Sequence, residues 1–381
     1  MISDEITNQG TGLFRIAKSM EVCIYRPGAL GDLLVTLPIL QWLLEAKGAR
    51  ITLIASPDWE PVAKGMAHRF VSCEDRTLLP LFSGHPLDLA SSPQWICEGG
   101  FQFAFLLLRN QDQALEDAFR WISSEVFWIQ SRPDALGRGW TYGSDLTSPG
   151  EATETVQPGI AGRVNIRDYL FRQLRTLGAI ADRPAASWPV ISQSPEDSSF
   201  VRKSALPALL IHAGSGSEEK NWPIESYWRL ASSCVSAGIS VFWTIGPADQ
   251  SRDYLHKNGA VSLGEATQAG NGPSKEDSLS AKIQRLESDM VPQHYTVELP
   301  LGELITFLGL FEIMIGNDSG ILHLASAMGL RVIALFGKSD PILWAPEGPG
   351  GQAIALGSEL GFPGEDEVQE ALSFIMRKGF R

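Results

Sequence analysis

Short apolar runs alternate with amphipathic stretches along this chain, and that rhythm predicts its elements. Residues 20–26 (MEVCIYR) read as a strand, and a glycine-containing turn from Pro27 to Asp32 follows. Leu33, Leu37, Leu40 and Leu44 then recur at spacings of four, three and four, one apolar face of a helix. Pro38 lies inside that helix and should bend it or mark a restart, because proline lacks an N–H and clashes with the preceding turn. Residues 51–55 and 125–130 read as further strands and 101–108 as a fully buried one. The stretch 131–162, rich in Gly, Pro, Ser and Thr, reads as a long loop, 163–177 as a helix, and the proline-rich 181–207 as an interdomain linker.

The pattern then starts again. Residues 208–212 predict a strand, 213–217 a small-residue loop, 225–236 a helix and 239–245 a strand, with another helix from about 248. The polar stretch 265–293 reads as an excursion from the fold. Strands at 295–299, 312–315 and 332–336 and helices at 301–310 and 319–328 complete a second sheet, and 366–377 forms a final helix. Strands alternating with helices predict α/β architecture, two parallel sheets with helices on both faces. The expected domains are 20–185 and 205–360, with a C-terminal helix within 361–381 packing back on the first.

Composition narrows the functional classes. At 381 residues the chain exceeds a typical single core, which favours two domains. Its strongest apolar runs, 103–108 and 241–245, are far shorter than the roughly 20 residues that span a bilayer. The first twenty residues have neither the basic start nor the apolar core of a signal peptide, so a cytoplasmic protein is expected. Cys23, Cys73, Cys97 and Cys234 are scattered, which argues against a disulfide framework or a zinc site. A net charge of −13, mostly from the second half, disfavours nucleic acid as a partner.

Several loops at predicted strand ends carry candidate chemistry. Gly28-Ala29-Leu30-Gly31-Asp32 joins a strand to a helix, where backbone N–H groups approach a ligand. It is not the G-x-G-x-x-G dinucleotide fingerprint. Asp32 reads either as a helix cap or as a carboxylate facing a cleft. Ser215, Gly216 and Ser217, followed by Lys220 and Trp222-Pro223, read as an anion nest with a point charge, or as a polar loop with a solvated lysine. Asp249 suits ribose hydroxyls or a helix cap equally.

The block 312–346 carries the most. Asp318 and Ser319 can cap a helix, Gly320 lets a ligand approach its first turn, and the helix end there suits a pyrophosphate. His323 lies one turn in from Ser319, either as a ligand contact or as a satisfied half-buried histidine. A second loop, Phe336-Gly337-Lys338-Ser339-Asp340-Pro341, follows the next strand. Arg163, Arg167, Arg172 and Arg175 give the helix 163–177 a basic face that is either solvated or able to meet acceptor phosphates.

Four blocks together resemble glycosyltransferase family 9, the ADP-heptose:lipopolysaccharide heptosyltransferases. They are RPGALGDLLVTLPIL (26–40), HAGSGSEEKNWPIESYWRLA (212–231), TIGPADQ (244–250) and IGNDSGILHLASAMGLRVIALFGKSDPILWAP (315–346). The resemblance implies a GT-B architecture: two Rossmann-like domains facing across a cleft, acceptor on the first and nucleotide sugar on the second. It implies inverting transfer of a sugar, heptose from ADP-heptose, onto a lipopolysaccharide-core or related glycan acceptor, without metal or other cofactor.

By block, Asp32 corresponds to the family's catalytic aspartate and Lys220 to its phosphate-contacting lysine. Asp318, Ser319, Gly320 and His323 correspond to its donor-binding turn, Ser215 and Ser217 to donor-contacting hydroxyls, and Asp249 more loosely to a ribose-binding acid. The implied partners are a nucleotide sugar and a glycan or glycolipid, met by peripheral contact at the cytoplasmic face of the inner membrane; the oligomeric state is left open. Lys338, the long excursion 265–293 and the acidic charge depart from the family pattern. The alternatives are a family member with another nucleotide sugar and acceptor, a nucleotide-sugar epimerase of the same shape, and a non-catalytic glycan-assembly module.

Overall fold

A computed structural model describes residues 20–82, 93–133, 165–176, 191, 208–246, 249–263, 291–349 and 351–377. Its first sheet has five parallel strands: β1 (Glu21–Arg26), β2 (Arg50–Ala55), β3 (Arg69–Ser72), β4 (Phe101–Leu108) and β5 (Ser123–Gln130), in the order β3-β2-β1-β4-β5. Strand order reverses at β1, whose Ile24 sits between Leu53 of β2 and Phe105 of β4. Open α/β sheets bind ligands outside the carboxyl ends of strands at such a reversal. Around this sheet lie α1 (Leu30–Leu34), α2 (Leu37–Lys47), α3 (Glu60–Ala63), α4 (Gln113–Arg120) and α5 (Ile166–Thr176).

Pro38 produces the restart rather than a bend. α1 ends at Leu34, and α2 begins at Leu37 with Pro38 in its first turn, where a missing N–H costs nothing. The break leaves the Asp32 carbonyl without its helical donor. The Thr36 hydroxyl, at 2.9 Å, and Arg26 Nε, at 3.0 Å, donate to it instead.

The second sheet contains β6 (Ala208–His212), β7 (Ser240–Thr244), β8 (Val261–Ser262), β9 (His294–Val297), β10 (Ile313–Asn317), β11 (Arg331–Phe336) and β14 (Ile354–Gly357). It is wholly parallel, in the order β14-β11-β10-β6-β7-β9-β8, and a small antiparallel pair, β12 (Glu347–Gly348) and β13 (Gly351–Gln352), stands beside it. Its reversal lies between β6 and β10, so the loops after these two strands share one crevice. Its helices are α6 (Ile224–Ser236), α7 (Ser251–Lys257), α8 (Leu301–Leu308), α9 (Gly320–Ala327), α10 (Pro341–Trp344) and α11 (Glu365–Arg377). Every residue of β6, β7, β9 and β10 is buried, as strands covered on both faces require.

One apolar cluster runs through both domains, from Leu33, Leu40 and Phe105 to Phe307, Leu322 and Phe336. Two further clusters fill the outer layers, one per sheet. The domains meet where α1 packs on α9 and where α3 packs on α8. The C-terminal helix differs from expectation. α11 packs on α6, β11 and β14 of the second sheet, burying Val368, Leu372 and Ile375 there. Its amphipathic face fits the outer layer of that sheet, and Arg331 Nη1 donates to the Ile375 carbonyl at 3.0 Å. Short strands β3, β8 and β14 were not predicted, because two to four residues give too little alternation to read. The linker region 181–207 and the excursion 265–293 fall almost wholly outside the described residues.

Candidate functional site

Asp32 is not the N-cap of α1 but closes the carboxylate half of a capping box from its third position. Ala29 is the N-cap, and Asp32 Oδ2 accepts from its N–H at 3.3 Å. Its side chain is 13% exposed at the end of the cleft marked by β1. A Cβ at Gly28 would stand 2.9 Å from Asp32 Oδ2, so a side chain there would push the carboxylate aside.

Two arginines surround this carboxylate, and the motif reading had assigned a role to neither. Arg26, the last residue of β1, is buried and places Nη2 3.5 Å from Asp32 Oδ1. Its other bonds fix it: Nε to the Asp32 carbonyl and to Thr36 Oγ1 (3.2 Å), and Nη1 to the Leu107 carbonyl (3.1 Å). Burial pulls its pKa down to about 10, against the opposing pull of Asp32, so the guanidinium stays charged at neutral pH. Arg132, just beyond β5, places Nη2 3.0 Å from Oδ1 and 3.2 Å from Oδ2. Its guanidinium also lies 5.4 Å from the ring centre of Trp344, in the other domain. The available signal was positional: Arg26 ends β1 at the reversal and Arg132 follows the edge strand β5, both at carboxyl ends of strands in one sheet.

Across the interface, β10 ends in Asn317, and Ser319 caps α9 by accepting from the Leu322 N–H at 3.3 Å. The first N–H groups of α9 have no intrahelical acceptor and carry its positive dipole end. Asp318, buried just before the cap, accepts from Lys220 Nζ at 2.8 Å and has His323 Nε2 at 3.7 Å. Burial alone would raise its pKa, but His323 and Lys220 together hold the carboxyl well below the usual range.

Asn317 was overlooked as a structural element. Fully buried, it accepts from the Trp222 N–H (2.9 Å) and Tyr227 hydroxyl (3.0 Å) and donates to the Ala213 carbonyl (2.6 Å) and Asn221 Oδ1 (3.3 Å). One amide thereby joins the loops after β6 and β10, which brings Lys220 to Asp318.

Of the remaining expected residues, some line up with the cleft and some do not. Gly214 and Gly216 have no positive φ. Ser215 turns its hydroxyl into its own loop, donating to the Ser217 carbonyl at 2.7 Å, while Gly216 and Ser217 are exposed. Asp249 Oδ1 accepts from the Ser251 N–H at 2.9 Å at the start of α7. Its Oδ2 is buried without a hydrogen-bond partner among the described residues, 2.7 Å from where a Cβ on Gly214 would stand. Lys338 is exposed.

Arg163 lies outside the described residues. Arg167 is not on a solvated face: it is buried and ion-paired with Glu347 of the second domain. Asn165 joins the domains at the same place, donating from Nδ2 to the Ala345 carbonyl at 3.0 Å. His323, Asn165, Arg167 and Glu347 line a small cavity between the domains.

The two helix starts touch. A Cβ on Gly320 would stand 2.9 Å from Gly31 N and 3.0 Å from Leu30 Cβ. Glycine at 320 therefore lets α1, with Asp32, abut the anion-attracting end of α9. This geometry can hold a diphosphate on one side and present a carboxylate to a nucleophile on the other. Among the described residues, no group of three or more His, Cys, Asp or Glu stands together as a metal-binding set, and no helix is long and apolar enough to cross a membrane.

The family model for glycosyltransferase family 9 (heptosyltransferase) matches residues 273–361, which include Asp318, Ser319, Gly320 and His323 but neither Asp32 nor Lys220. No curated protein matches the sequence. A glycosyl transferase family 9 structure from Veillonella parvula is similar, with a TM-score of 0.61 and 16% identity over 94% of this chain and 98% of that one. The E. coli ADP-heptose lps heptosyltransferase II gives a TM-score of 0.59 at 15% identity over 94% and 99%, respectively. The E. coli heptosyltransferase WaaC with ADP gives 0.56 at 12% identity over 93% and 99%. The expected GT-B fold is borne out by these likenesses, and the resemblance to family 9 by the matched region, which supports a glycosyltransferase enzyme.

Proposed function

We propose that this chain, with its glycosyltransferase family 9 region and heptosyltransferase fold, transfers heptose from ADP-heptose to a lipopolysaccharide-core or related glycan acceptor. The observation that carries the reading is the contact of Gly31 with Gly320, which sets the Asp32 carboxylate beside the start of α9. Asp32 acts as general base on the acceptor hydroxyl. The hydroxyl oxygen attacks the anomeric carbon from the face opposite the diphosphate, which inverts the configuration.

Charge on the leaving diphosphate is met by the N–H groups at Ser319–Gly320 and by Lys220. An ammonium has three N–H donors, so Lys220 can keep Asp318 and still bind a phosphate oxygen. His323 hydrogen-bonds a phosphate or sugar hydroxyl, and Asp249 meets the ribose. Ser215, Gly216 and Ser217 border the donor. These groups supply the countercharge that a metal would otherwise provide, and the lipid-linked acceptor is met at the cytoplasmic face of the inner membrane.

The test is ADP release from ADP-heptose by purified protein, with and without a lipopolysaccharide inner-core saccharide. Release should require the saccharide and persist in a chelator such as EDTA. Release that stops with chelator would remove the metal-independent step, and no release with any saccharide tried, while another nucleotide sugar turns over, would replace the donor.

A further inference from the structure

Three hydrogen bonds and one ion pair hold the Asp32 carboxylate. Oδ1 has Arg132 Nη2 at 3.0 Å and Arg26 Nη2 at 3.5 Å; Oδ2 has Arg132 Nη2 at 3.2 Å and the Ala29 N–H at 3.3 Å. A general base needs a lone pair aimed at the hydroxyl it deprotonates. Here one nitrogen of Arg132 straddles both oxygens and covers the edge a hydroxyl would use.

The partners differ in how readily they could leave. Arg26 is 2% exposed and held by three further hydrogen bonds, and the Ala29 N–H belongs to the turn itself. The Arg132 side chain is 44% exposed, and its other contact among the described residues is the Trp344 ring, which can hold a guanidinium without fixing its direction.

We infer that Arg132 is a positioning residue that gates Asp32: it covers the carboxylate until an acceptor displaces it, and so keeps water from being activated against the donor. The inference rests on Asp32 being the base. In the reaction that is suppressed, a water oxygen bonds to the anomeric carbon of the nucleotide sugar and its proton passes to Asp32. The bond from that carbon to the diphosphate oxygen breaks, and its electron pair leaves on the diphosphate. Trp344 belongs to the second domain, so the gate also senses whether the domains are in register.

The experiment measures ADP release from ADP-heptose without acceptor, and transfer with the inner-core saccharide, in wild type, Arg132→Ala, Arg132→Lys, Asp32→Asn and the double variant Asp32→Asn/Arg132→Ala. Arg132→Ala should raise acceptor-independent release by at least about tenfold, a fraction of what a general base can supply, while transfer falls. Arg132→Lys should restore part of the restraint, and the double variant should return release to background.

Wild-type release in Arg132→Ala, with ADP affinity intact by calorimetry and transfer lost in Asp32→Asn, overturns the gate alone. Raised release that persists in the double variant also overturns it, because the charge would then act without Asp32. Transfer that survives in Asp32→Asn removes the base assignment, and the gate with it. A merely structural role for Arg132 would lower the melting temperature and both activities together.

Discussion

The two sides of the cleft use the same local design for different ends. Each has a parallel strand, a short turn, a helix start and a carboxylate beside it: Asp32 after β1 and Asp318 after β10. Asp32 sits inside its helix and meets two arginines, one buried and one partly exposed. Asp318 sits before the cap, 8% exposed, and is locked between Lys220 and His323. A carboxylate with a partly exposed partner can take a proton from a substrate. One held well below its usual pKa cannot, but it can orient a lysine and a histidine toward an anion. Reactivity is thus decided by the partners that the fold delivers, not by the acid or its turn.

Several experiments would break or sharpen this contrast. The largest effect belongs to Asp32→Asn: transfer should fall by about 10²–10⁴-fold with ADP affinity unchanged, since the donor side is untouched. Steady-state kinetics with calorimetry checks this; an equal loss in Asp318→Asn would mean the two acids are not functionally distinct.

Next comes Gly320→Val. Its Cβ would fall inside contact distance of Gly31 N and Leu30 Cβ, so the helix starts must separate. A loss of about 1–3 kcal/mol by denaturant unfolding is expected, as for other overpacked sites, together with reduced transfer. Stability unchanged from wild type would show that the domains do not rely on this contact.

Lys220→Ala should weaken ADP binding by about tenfold, near 1.4 kcal/mol, by calorimetry. Unchanged affinity would confine the lysine to holding Asp318.

The smallest effect concerns acid stability. Folding lowers the Asp318 pKa, so the folded state binds this proton less readily than the unfolded chain. The stabilisation is complete above the ordinary carboxylate value of 3.8 and is lost as pH falls below it. Asp318→Asn should therefore flatten the drop in melting temperature between about pH 4 and pH 2. A drop as steep as wild type would place the acid sensitivity elsewhere.

Much of the fold was legible because strands covered on both faces leave continuous apolar runs. Residues 208–212 and 101–108 match β6 and β4, and Pro38 marked a real break. The Ser319 cap and the turn around it were readable because capping is set by residues a few positions apart. The role of Arg167 was not: its partner Glu347 is 180 residues away, and only docking of the domains turns a basic helix face into a buried ion pair. The same holds for Asn317, whose partners come from the loop after β6 and from α6.

The sequence by itself determined the elements, the doubled α/β pattern and the turns that could carry chemistry, because those depend on periodicity and on backbone groups close along the chain. Only the tertiary structure decided which charges meet. Arg132 reaches Asp32 across 100 residues, and Lys220 reaches Asp318 across 98. Such pairings depend on strand order and on the close approach of α1 to α9, and neither leaves a local mark in the sequence. For these carboxylates the pairing is what separates a candidate base from the organiser of an anion site.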